Sequence, residues 1–337
     1  MPNSCPGVNS ENAGQASACE GCPNRQNCLS GENSKTLSER LPDVIAKIKS
    51  RMKSVRNRII VLSGKGGVGK TSVSVCLAHL ISLQKKPCGE YYNVGLLDLD
   101  ICGPSTPCMM NCLDETIHTN AEGWTPVMIK ENLSVLSVGF LLSSIEKAVI
   151  MRGPKKDNLI KTILQEVDWS SDEEPLDYLI IDTPPGTGDE ILTLVNLLKA
   201  AECLDYAIVV TTPQEISLSC VRKSIDFCSK VKLPILGIVE NMSHFICSKC
   251  TKSNRIFPQG SNNTGGQSLV KDSNMFFLKL PLDVRITKSL DEGQCPFSHI
   301  YEPEDFRMDK DPDLLSTDDE AFQSFSSLMN LILEKTS

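Results

Sequence analysis

Length, composition and charge indicate a globular enzyme that has one large domain with an appendage, or two domains. The chain has 337 residues, of which 40% are hydrophobic, and its formal net charge is −8. That charge argues against a general surface for nucleic acid or for acidic membranes, so we expect neither as a partner. Residues 1–15 lack the features of a signal peptide, and no apolar run approaches the roughly 18 residues of a membrane span. We therefore expect a cytoplasmic protein in which the fifteen cysteines serve metal chemistry rather than disulfides.

The first 35 residues are polar and nearly free of large aliphatic side chains, so they cannot bury a core of their own. They contain Cys5, Cys19, Cys22 and Cys28, with the spacing C-x13-C-x2-C-x5-C. Thiolates in a segment without a core indicate folding around a metal. Four cysteines suit either zinc or an iron–sulfur cluster, and the spacing alone does not separate the two. The sequence predicts a small irregular metal-binding extension over 1–35.

Alternating strand and helix patterns fill residues 57–295, and a predicted helix over 36–56 links them to the extension. Continuous apolar runs such as 178–181 are typical of parallel strands that are buried on both faces. The predicted fold class is therefore α/β, a mostly parallel sheet with helices on both faces. An acidic loop and an amphipathic C-terminal helix are expected over 296–337. The predicted strands are 58–63, 94–99, 133–138, 177–182, 206–211, 234–240 and 276–280.

A phosphate-binding loop follows the first predicted strand. The segment SGKGGVGKTS at 63–72 matches the pattern G-x-x-x-x-G-K-S/T. Glycines allow consecutive backbone N–H groups to point at phosphate oxygens. Lys70 is expected to reach the β- and γ-phosphates of ATP, and the Thr71 hydroxyl to ligate Mg²⁺. The predicted nucleotide-binding residues of this loop are Gly64, Lys65, Gly66, Gly67, Val68, Gly69, Lys70, Thr71 and Ser72.

Lys65 is one lysine more than a phosphate loop needs within one chain. It resembles the signature lysine of the deviant Walker A proteins, which are SIMIBI-type P-loop NTPases and include MinD, ParA and the nitrogenase iron protein. In that class this lysine reaches across a dimer interface to the partner's nucleotide. The resemblance implies a dimer, with catalytic roles for Lys65 and Lys70.

Two carboxylate-bearing loops follow other predicted strands, at the edge of the sheet where ligands bind. Asp98 and Asp100 leave the second strand together, and one of them can reach the metal shell or a water near the γ-phosphate. Taken alone, the D-x-D pattern is more typical of a solvated acidic turn. Asp182 ends an apolar strand and is expected to hold Mg²⁺ through water. The N–H of Gly186, in the loop that follows, is expected to sense the γ-phosphate.

A second cysteine motif, Cys247-Ser-Lys-Cys250, lies in the body of the chain. Two thiolates are half of a four-cysteine site, and two chains related by a two-fold axis would supply all four. A redox pair is the alternative, although that interpretation expects a thioredoxin-like unit around the motif.

The chain resembles the Mrp/ApbC family of P-loop ATPases that scaffold iron–sulfur clusters, and within it the eukaryotic cytosolic branch with an N-terminal four-cysteine extension. The resemblance covers most of residues 1–293. The matching stretches are CPGVNSENAGQASACEGCPNRQNC, VLSGKGGVGKTSVS, VGLLDLDICGPSTP, MRGPKKDNLIK, DYLIIDTPPGTGDE, VTTPQEISL, VENMSHFICSKC and LPLDVRITKSLDEG.

The resemblance implies an ATP-dependent scaffold that assembles [4Fe–4S] clusters and passes them to cytosolic and nuclear apo-proteins or to downstream transfer factors. It implies one cluster on the four N-terminal cysteines and a labile one that bridges two subunits through Cys247 and Cys250. By the same comparison, Asn241 reads the amide edge of adenine and Asp100 orients the attacking water. The implied partner is a shorter paralogue in a heterotetramer, or a second copy of this chain in a homodimer.

Two alternatives remain open from the residues alone. A MinD/ParA-like positioning ATPase shares the phosphate loop, but it should carry a basic amphipathic C-terminal helix or a basic surface. A zinc-stabilised regulatory NTPase would explain the N-terminal cysteines without iron.

Three further cysteines, which we interpret as loop or core thiols, are Cys102, Cys108 and Cys112.

Overall fold

An eight-stranded sheet forms the centre of the fold in the computed structural model. The structure describes residues 15–20, 25, 37–120, 123–141, 151–170, 174–247, 252–257, 266–271, 273–301 and 314–336. The strands of the sheet are Val55–Ser63 (β1), Val94–Asp98 (β2), Val127–Lys130 (β3), Leu133–Ser137 (β4), Leu176–Asp182 (β5), Tyr206–Thr211 (β6), Ile235–Glu240 (β7) and Phe276–Lys279 (β8). Two small hairpins lie outside it, pairing His118–Thr119 with Trp124–Thr125 and Phe245–Ile246 with Ser253–Asn254.

The strand order is β8-β7-β6-β1-β5-β2-β4-β3, and every neighbouring pair is parallel except β3 with β4. Successive side chains of a strand point to opposite faces of the sheet. In β1, Ile59 and Val61 therefore enter one hydrophobic core, whereas Ile60 and Leu62 enter the other. Both faces are buried, which explains the continuous apolar runs and confirms the predicted fold class.

Helices cover both faces of the sheet. The longer helices are Pro42–Met52 (α1), Lys70–Ser82 (α2), Gly153–Glu166 (α3), Asp189–Ala200 (α4), Glu215–Val231 (α5), Val284–Asp291 (α6) and Glu320–Thr336 (α7). Short helical segments are Ser17–Cys19, Leu37–Arg40, Thr106–Met109, Val138–Leu141, Gly266–Val270 and Ser298–Tyr301. Helices α2, α6 and α7 pack on one face of the sheet, and α1, α3, α4 and α5 on the other. No helix in the described ranges is both long enough and apolar enough to cross a membrane.

All seven predicted strands are present, and the sequence missed an eighth, β3. This strand has four residues and lies at the edge of the sheet, where the side chain of Met128 is 48% exposed. Its pairing with β4 is irregular between Met128 and Lys130. Its apolar run, over 127–129, has only three residues, which is shorter than the runs that mark the buried strands.

The predicted boundary at residue 57 falls inside β1, which begins at Val55. The helix α1, predicted as a linker, buries Ile45, Ile48 and Met52 in the core. The guanidinium of Arg58 donates hydrogen bonds to the carbonyls of Met52 and Val55, each at 2.9 Å. Residues 42–56 are therefore part of the folded body. A metal-binding extension over 1–35 stays a prediction, since most of it lies outside the described residues.

The C-terminal helix α7, predicted within 296–337, packs on the body of the fold. Its buried side chains lie against the same hydrophobic core as α2, and the Tyr178 and Thr336 hydroxyls are 2.9 Å apart. The buried side chains of α7 are Ala321, Phe325, Leu328, Met329 and Ile332.

Candidate active site

The phosphate loop joins the end of β1 to the start of α2 and depends on glycine at two positions for different reasons. Gly69 has φ of +79°, a left-handed conformation that side chains rarely adopt. A Cβ on Gly64 would lie 2.6 Å from the backbone of Cys220, so no side chain fits between the loop and α5. The loop is therefore held close to its neighbours, with its backbone at the carboxyl end of the central strand.

Lys70 and Asp182 form a buried ion pair beneath this loop. The distance between Lys70 Nζ and Asp182 Oδ2 is 2.7 Å, and the two side chains are 5% and 0% exposed. The ammonium makes no well-aligned hydrogen bond to any residue that the structure describes. The carboxylate also accepts hydrogen bonds from the hydroxyls of Thr71, at 2.7 Å, and Ser74, at 2.8 Å. Sequence reasoning did not find Ser74, although it lies one helical turn after Lys70.

These residues fit a magnesium nucleotide. A buried ammonium without a well-aligned acceptor is suited to phosphate oxygens. So is the buried hydroxyl of Ser63, which has no hydrogen-bond partner among the described residues. The Thr71 hydroxyl and the Asp182 carboxylate supply the oxygen donors that Mg²⁺ prefers. The structure thus brings Lys70, Thr71 and Asp182 together, as the sequence predicted.

Asp98 lies next to Asp182, because the two residues are register partners on β2 and β5. Burial, and then the charge of Asp182, raises the pKa of Asp98 to about 7. Its carboxyl accepts hydrogen bonds from the Ser137 hydroxyl, at 2.9 Å, and from the N–H of Asp100, at 3.0 Å. Asp98 thereby fixes the start of the loop that carries Asp100. Burial is also the main cause that raises the pKa of Asp100.

The loop after β5 is hydrogen-bonded to β1 and the phosphate loop. The Thr183 hydroxyl donates to the carbonyl of Val61, and the N–H of Gly186 donates to the carbonyl of Ser63, both at 2.8 Å. The N–H that was predicted to sense the γ-phosphate is therefore engaged by the phosphate loop itself. Sensing would require this N–H to leave Ser63, so the predicted role of Gly186 implies a movement of the loop.

A cleft opens beside the phosphate loop, between the start of α2 and the segment 281–291. Asn241 lies in this cleft, where its side-chain amide donates to the carbonyl of Val68 at 3.0 Å. The expected contact of Asn241 with adenine stays a prediction, although the cleft places the residue against the loop. The segment 281–291 forms the far wall of the cleft, and the sequence analysis assigned no role to it. Its only sequence signal was that it lies in LPLDVRITKSLDEG, one of the stretches that resemble the family. The lining residues are Gly69, Ser72, Val73, Met109, Asn241, Met242, Pro281, Leu282, Asp283, Ile286, Thr287, Leu290, Asp291 and Phe325.

Lys65 has a different environment from Lys70. Its side chain is exposed, and it forms no ion pair with any residue in the described ranges. A surface cation in the phosphate loop is free to meet the nucleotide of a second subunit. That role stays a prediction.

Of the six predicted metal ligands, the structure describes Cys19 and Cys247. Cys19 is buried in the short helical segment Ser17–Cys19. Cys247 is half-buried, and its N–H donates to the carbonyl of Lys252 at 3.1 Å, next to the hairpin of strands 245–246 and 253–254. In the described part of the chain no three Cys, His, Asp or Glu side chains form a metal-binding group. The other four predicted ligands lie outside that part and are Cys5, Cys22, Cys28 and Cys250.

The remaining cysteines are found in core and loop positions. Cys102 is exposed in the loop after Asp100, and its sulfur lies 3.7 Å from the ammonium of Lys156. Cys108 is exposed and Cys112 is buried. Further buried thiols occupy positions Cys76, Cys203 and Cys228.

Comparisons with known proteins identify the class of this site. A family model described as ParA, NUBPL iron-transfer P-loop NTPase, matches residues 54–308. The chain belongs to this family. It is an ATPase of the Mrp/ApbC type, as the phosphate loop and its buried lysine indicate.

Two solved structures illustrate the relationship. The nucleotide-binding protein of Archaeoglobus fulgidus, solved in complex with ADP and with cobalt found in it, is 32% identical. That match covers 79% of this chain and 98% of the archaeal chain, with a TM-score of 0.60. The cell division ATPase MinD of Pyrococcus furiosus is 20% identical, over 83% of this chain and 99% of its own, with a TM-score of 0.50. The similarity to MinD shows the fold alone.

Proposed function

We propose that this ATPase is a cytoplasmic scaffold that assembles [4Fe–4S] clusters and transfers them to cytosolic and nuclear apo-proteins. One observation carries the proposal: a single short segment joins the nucleotide cleft to a cysteine of the predicted cluster site. Asn241, at its start, contacts the phosphate loop, and Cys247 is at its end. In between, the Ser243 hydroxyl donates to the carbonyl of Leu280 at 2.9 Å, next to the wall of the cleft. A change at the nucleotide is thereby linked to the position of the thiolate. The family's description as iron-transfer NTPases supports the same function.

The chain's own residues have distinct tasks towards the nucleotide. Lys70 and Thr71 would hold the phosphates and Mg²⁺, and Asp182 would fix the metal through water. The metal supplies positive charge that neutralises the phosphates. Asp100, held by its N–H on Asp98, would orient the attacking water.

The cluster is cargo, and two subunits are needed to bind it between them. Each chain contributes only Cys247 and Cys250 to the bridging site, so neither subunit alone completes four ligands. A shorter paralogue in a heterotetramer, or a second copy of this chain, would supply the other pair. The same dimer would bring Lys65 to the partner's nucleotide. A second, stable cluster would be held by the four N-terminal cysteines.

The burial of α7 argues against one form of the MinD/ParA alternative, the form that acts on a membrane through a basic amphipathic C-terminal helix. Such a helix needs a free apolar face for the lipid surface. In this chain that face of α7 is buried against α2 and the sheet, through residues such as Phe325 and Leu328. Helix α7 therefore acts as a structural element of the body.

The visible absorption spectrum of the protein, purified without oxygen, tests the proposal against a zinc-stabilised NTPase. A [4Fe–4S] cluster gives a broad brown absorption, whereas zinc is colourless. Metal analysis and light scattering on the same sample report the bound element and the oligomeric state. We expect a brown dimer or larger assembly that contains iron and sulfide. A colourless protein that contains zinc and no iron would contradict the proposal.

A further inference from the structure

A second cleft lies at the opposite end of α2 from the phosphate loop. Helix α2 begins at Lys70 and ends at Ser82, so its thirteen residues separate the two sites by about 20 Å. A tight hairpin over 84–92 forms one wall, the turn between β3 and β4 forms another, and Tyr301 closes the third side. We call this feature the hairpin cleft. It plays no part in the site described above.

The hairpin holds its two outermost side chains in place. Lys85 and Tyr91 pair across it, and the N–H of Tyr92 donates to the carbonyl of Gln84 at 3.1 Å. The ammonium of Lys85 lies 5.4 Å from the centre of the Tyr91 ring, which is a cation–π arrangement. The side-chain amide of Gln84 donates to the Tyr301 hydroxyl at 2.7 Å, which ties the hairpin to the opposite wall. The cleft is therefore preformed.

The charged side chains that line the cleft in the described ranges are all positive. Lys85 and Lys130 line it, and no Asp or Glu is among its lining residues in the described ranges. Neither lysine forms an ion pair with a described residue, whereas the adjacent Lys86 lies 2.9 Å from Asp177 and 3.8 Å from Glu90. The same turn thus contains one lysine that is paired with carboxylates and one, Lys85, that contacts the Tyr91 ring and no carboxylate of a described residue. The cleft therefore presents two lysines and two tyrosines on a chain with a net charge of −8.

We propose that the hairpin cleft is a docking site for an acidic segment of a partner protein. Carboxylates of the segment would pair with Lys85 and Lys130, and an aromatic or aliphatic side chain between them would pack on Tyr91, which is 49% exposed. Electrostatic complementarity of this kind selects the partner and speeds association. Because the cleft lies far from the phosphate loop, a docked partner and ATP would bind at the same time.

The fluorescence anisotropy of a short labelled peptide, rich in Glu and Asp with one central Phe, measures this binding to the full chain. We expect the double variant Lys85→Glu/Lys130→Glu to bind the peptide at least about tenfold more weakly, and added salt to weaken binding to the unmodified chain. The control Lys223→Glu changes an exposed lysine on α5, which packs on the other face of the sheet. It should change the affinity by less than about twofold. Thermal unfolding and ATP binding of each variant report whether it is folded.

Three results would overturn the proposal. One is the absence of binding to the unmodified chain. Another is equal weakening by Lys223→Glu, which would mean that only net charge matters. The third is binding that occurs only after residues 302–313 are deleted, because this acidic stretch, which follows Tyr301, would then be the occupant instead of a partner.

Discussion

At the scale of single residues, the ion pair of Lys70 with Asp182 dominates the nucleotide site. Both side chains are almost fully buried, and removal of one partner from such a pair leaves an uncompensated charge in the interior. The ammonium of Lys70 has no well-aligned acceptor among the described residues and would donate to phosphate oxygens, while Thr71 and Ser74 hold the carboxylate of Asp182 in place. Lys65 has none of these contacts and is exposed. Replacement of Lys70 and replacement of Lys65 should therefore have different effects on ATP binding and hydrolysis.

Lys70→Ala should abolish productive ATP binding, because it removes the cation nearest to the γ-phosphate. Lys65→Ala is the matched control within the same loop, and it should reduce hydrolysis more than binding, since its proposed role lies across the dimer. Titration with a fluorescent ATP analogue gives the dissociation constant, and phosphate release gives the turnover. Unchanged turnover in the Lys65→Ala variant would contradict the deviant Walker A assignment of this lysine.

His79 makes stability depend on pH. It lies on α2, is 3% exposed, and neither ring nitrogen has a hydrogen-bond partner among the described residues. Burial, and then the charge of Lys130, lowers the pKa of His79 from 6.5 to about 3. Below pH 6.5 the imidazole of His79 binds a proton in the unfolded chain but stays neutral in the folded chain. The contribution of the neutral ring to stability is therefore complete above pH 6.5 and is lost as the pH falls towards 3.

Replacing the ring by His79→Leu should remove this pH dependence. Between pH 6.5 and pH 4, we expect the free energy of unfolding to fall by about 3 kcal/mol more for the unmodified chain than for the variant. Urea unfolding at each pH measures the free energy of unfolding of the unmodified chain and of the variant. His118→Leu is the control, because His118 is exposed. Parallel pH curves for the unmodified chain and the His79→Leu variant would show that the ring is not kept neutral by the fold.

Residues of the site differ in how well the sequence could predict them. Lys70 and Thr71 belong to one continuous motif with a fixed spacing, so the pattern alone located them. The hydrogen bond from Asn241 to Val68 joins residues that are 173 positions apart, and no local pattern encodes it. The far wall of the cleft was missed for the same reason, since α6 reaches the phosphate loop only through the fold.

At the scale of elements, the two ends of the described chain complete the body of the fold. Helix α1 buries Ile48 and Met52 against the sheet. At the other end, the start of α7 is fixed by Glu320, which lies 2.8 Å from His244, and by Asp319, which lies 3.0 Å from Arg285. These contacts reach the segment between Asn241 and Cys247 and the wall of the nucleotide cleft. Helix α7 is thus connected to both proposed sites.

Truncation at two points tests the position of the N-terminal boundary. A fragment that begins at Leu37 keeps α1 and should fold and bind ATP, but it should lose the stable cluster. A fragment that begins at Asn57 lacks the three buried side chains of α1 and the first two residues of β1. We expect its free energy of unfolding to be lower by about 5 kcal/mol, from the apolar burial alone. Thermal unfolding and ATP titration of both fragments test whether α1 belongs to the folded core. Equal stability of the two fragments would place α1 outside it.

The sequence missed one strand of the sheet and the role of one helix, each for its own physical reason. Most of the seven predicted strands are recognisable because burial on both faces favours apolar residues at most of their positions. The edge strand β3 is half-exposed, so its sequence, Val-Met-Ile-Lys, carries no such demand. The contribution of α1 to the core was missed because an amphipathic helix has the same pattern whether it links two domains or covers a sheet.

At the scale of the whole molecule, the proposed function requires two subunits that share one cluster. Each chain would contribute half of the bridging ligands and the lysine that reaches the second nucleotide. The iron and sulfide content per chain therefore reports how many clusters each chain binds and whether one of them is shared. With one N-terminal cluster per chain and one cluster shared between two chains, we expect about six iron atoms per chain.

The most direct test is the iron and sulfide content of the reconstituted full chain and of two paired variants, with the oligomeric state determined on the same samples. Cys247→Ser/Cys250→Ser should retain about four iron atoms per chain and lose the bridged assembly. Cys19→Ser/Cys22→Ser should retain about two iron atoms per chain and stay bridged. Full iron in the Cys247→Ser/Cys250→Ser variant would mean that this pair binds no cluster, which would contradict the proposed scaffold.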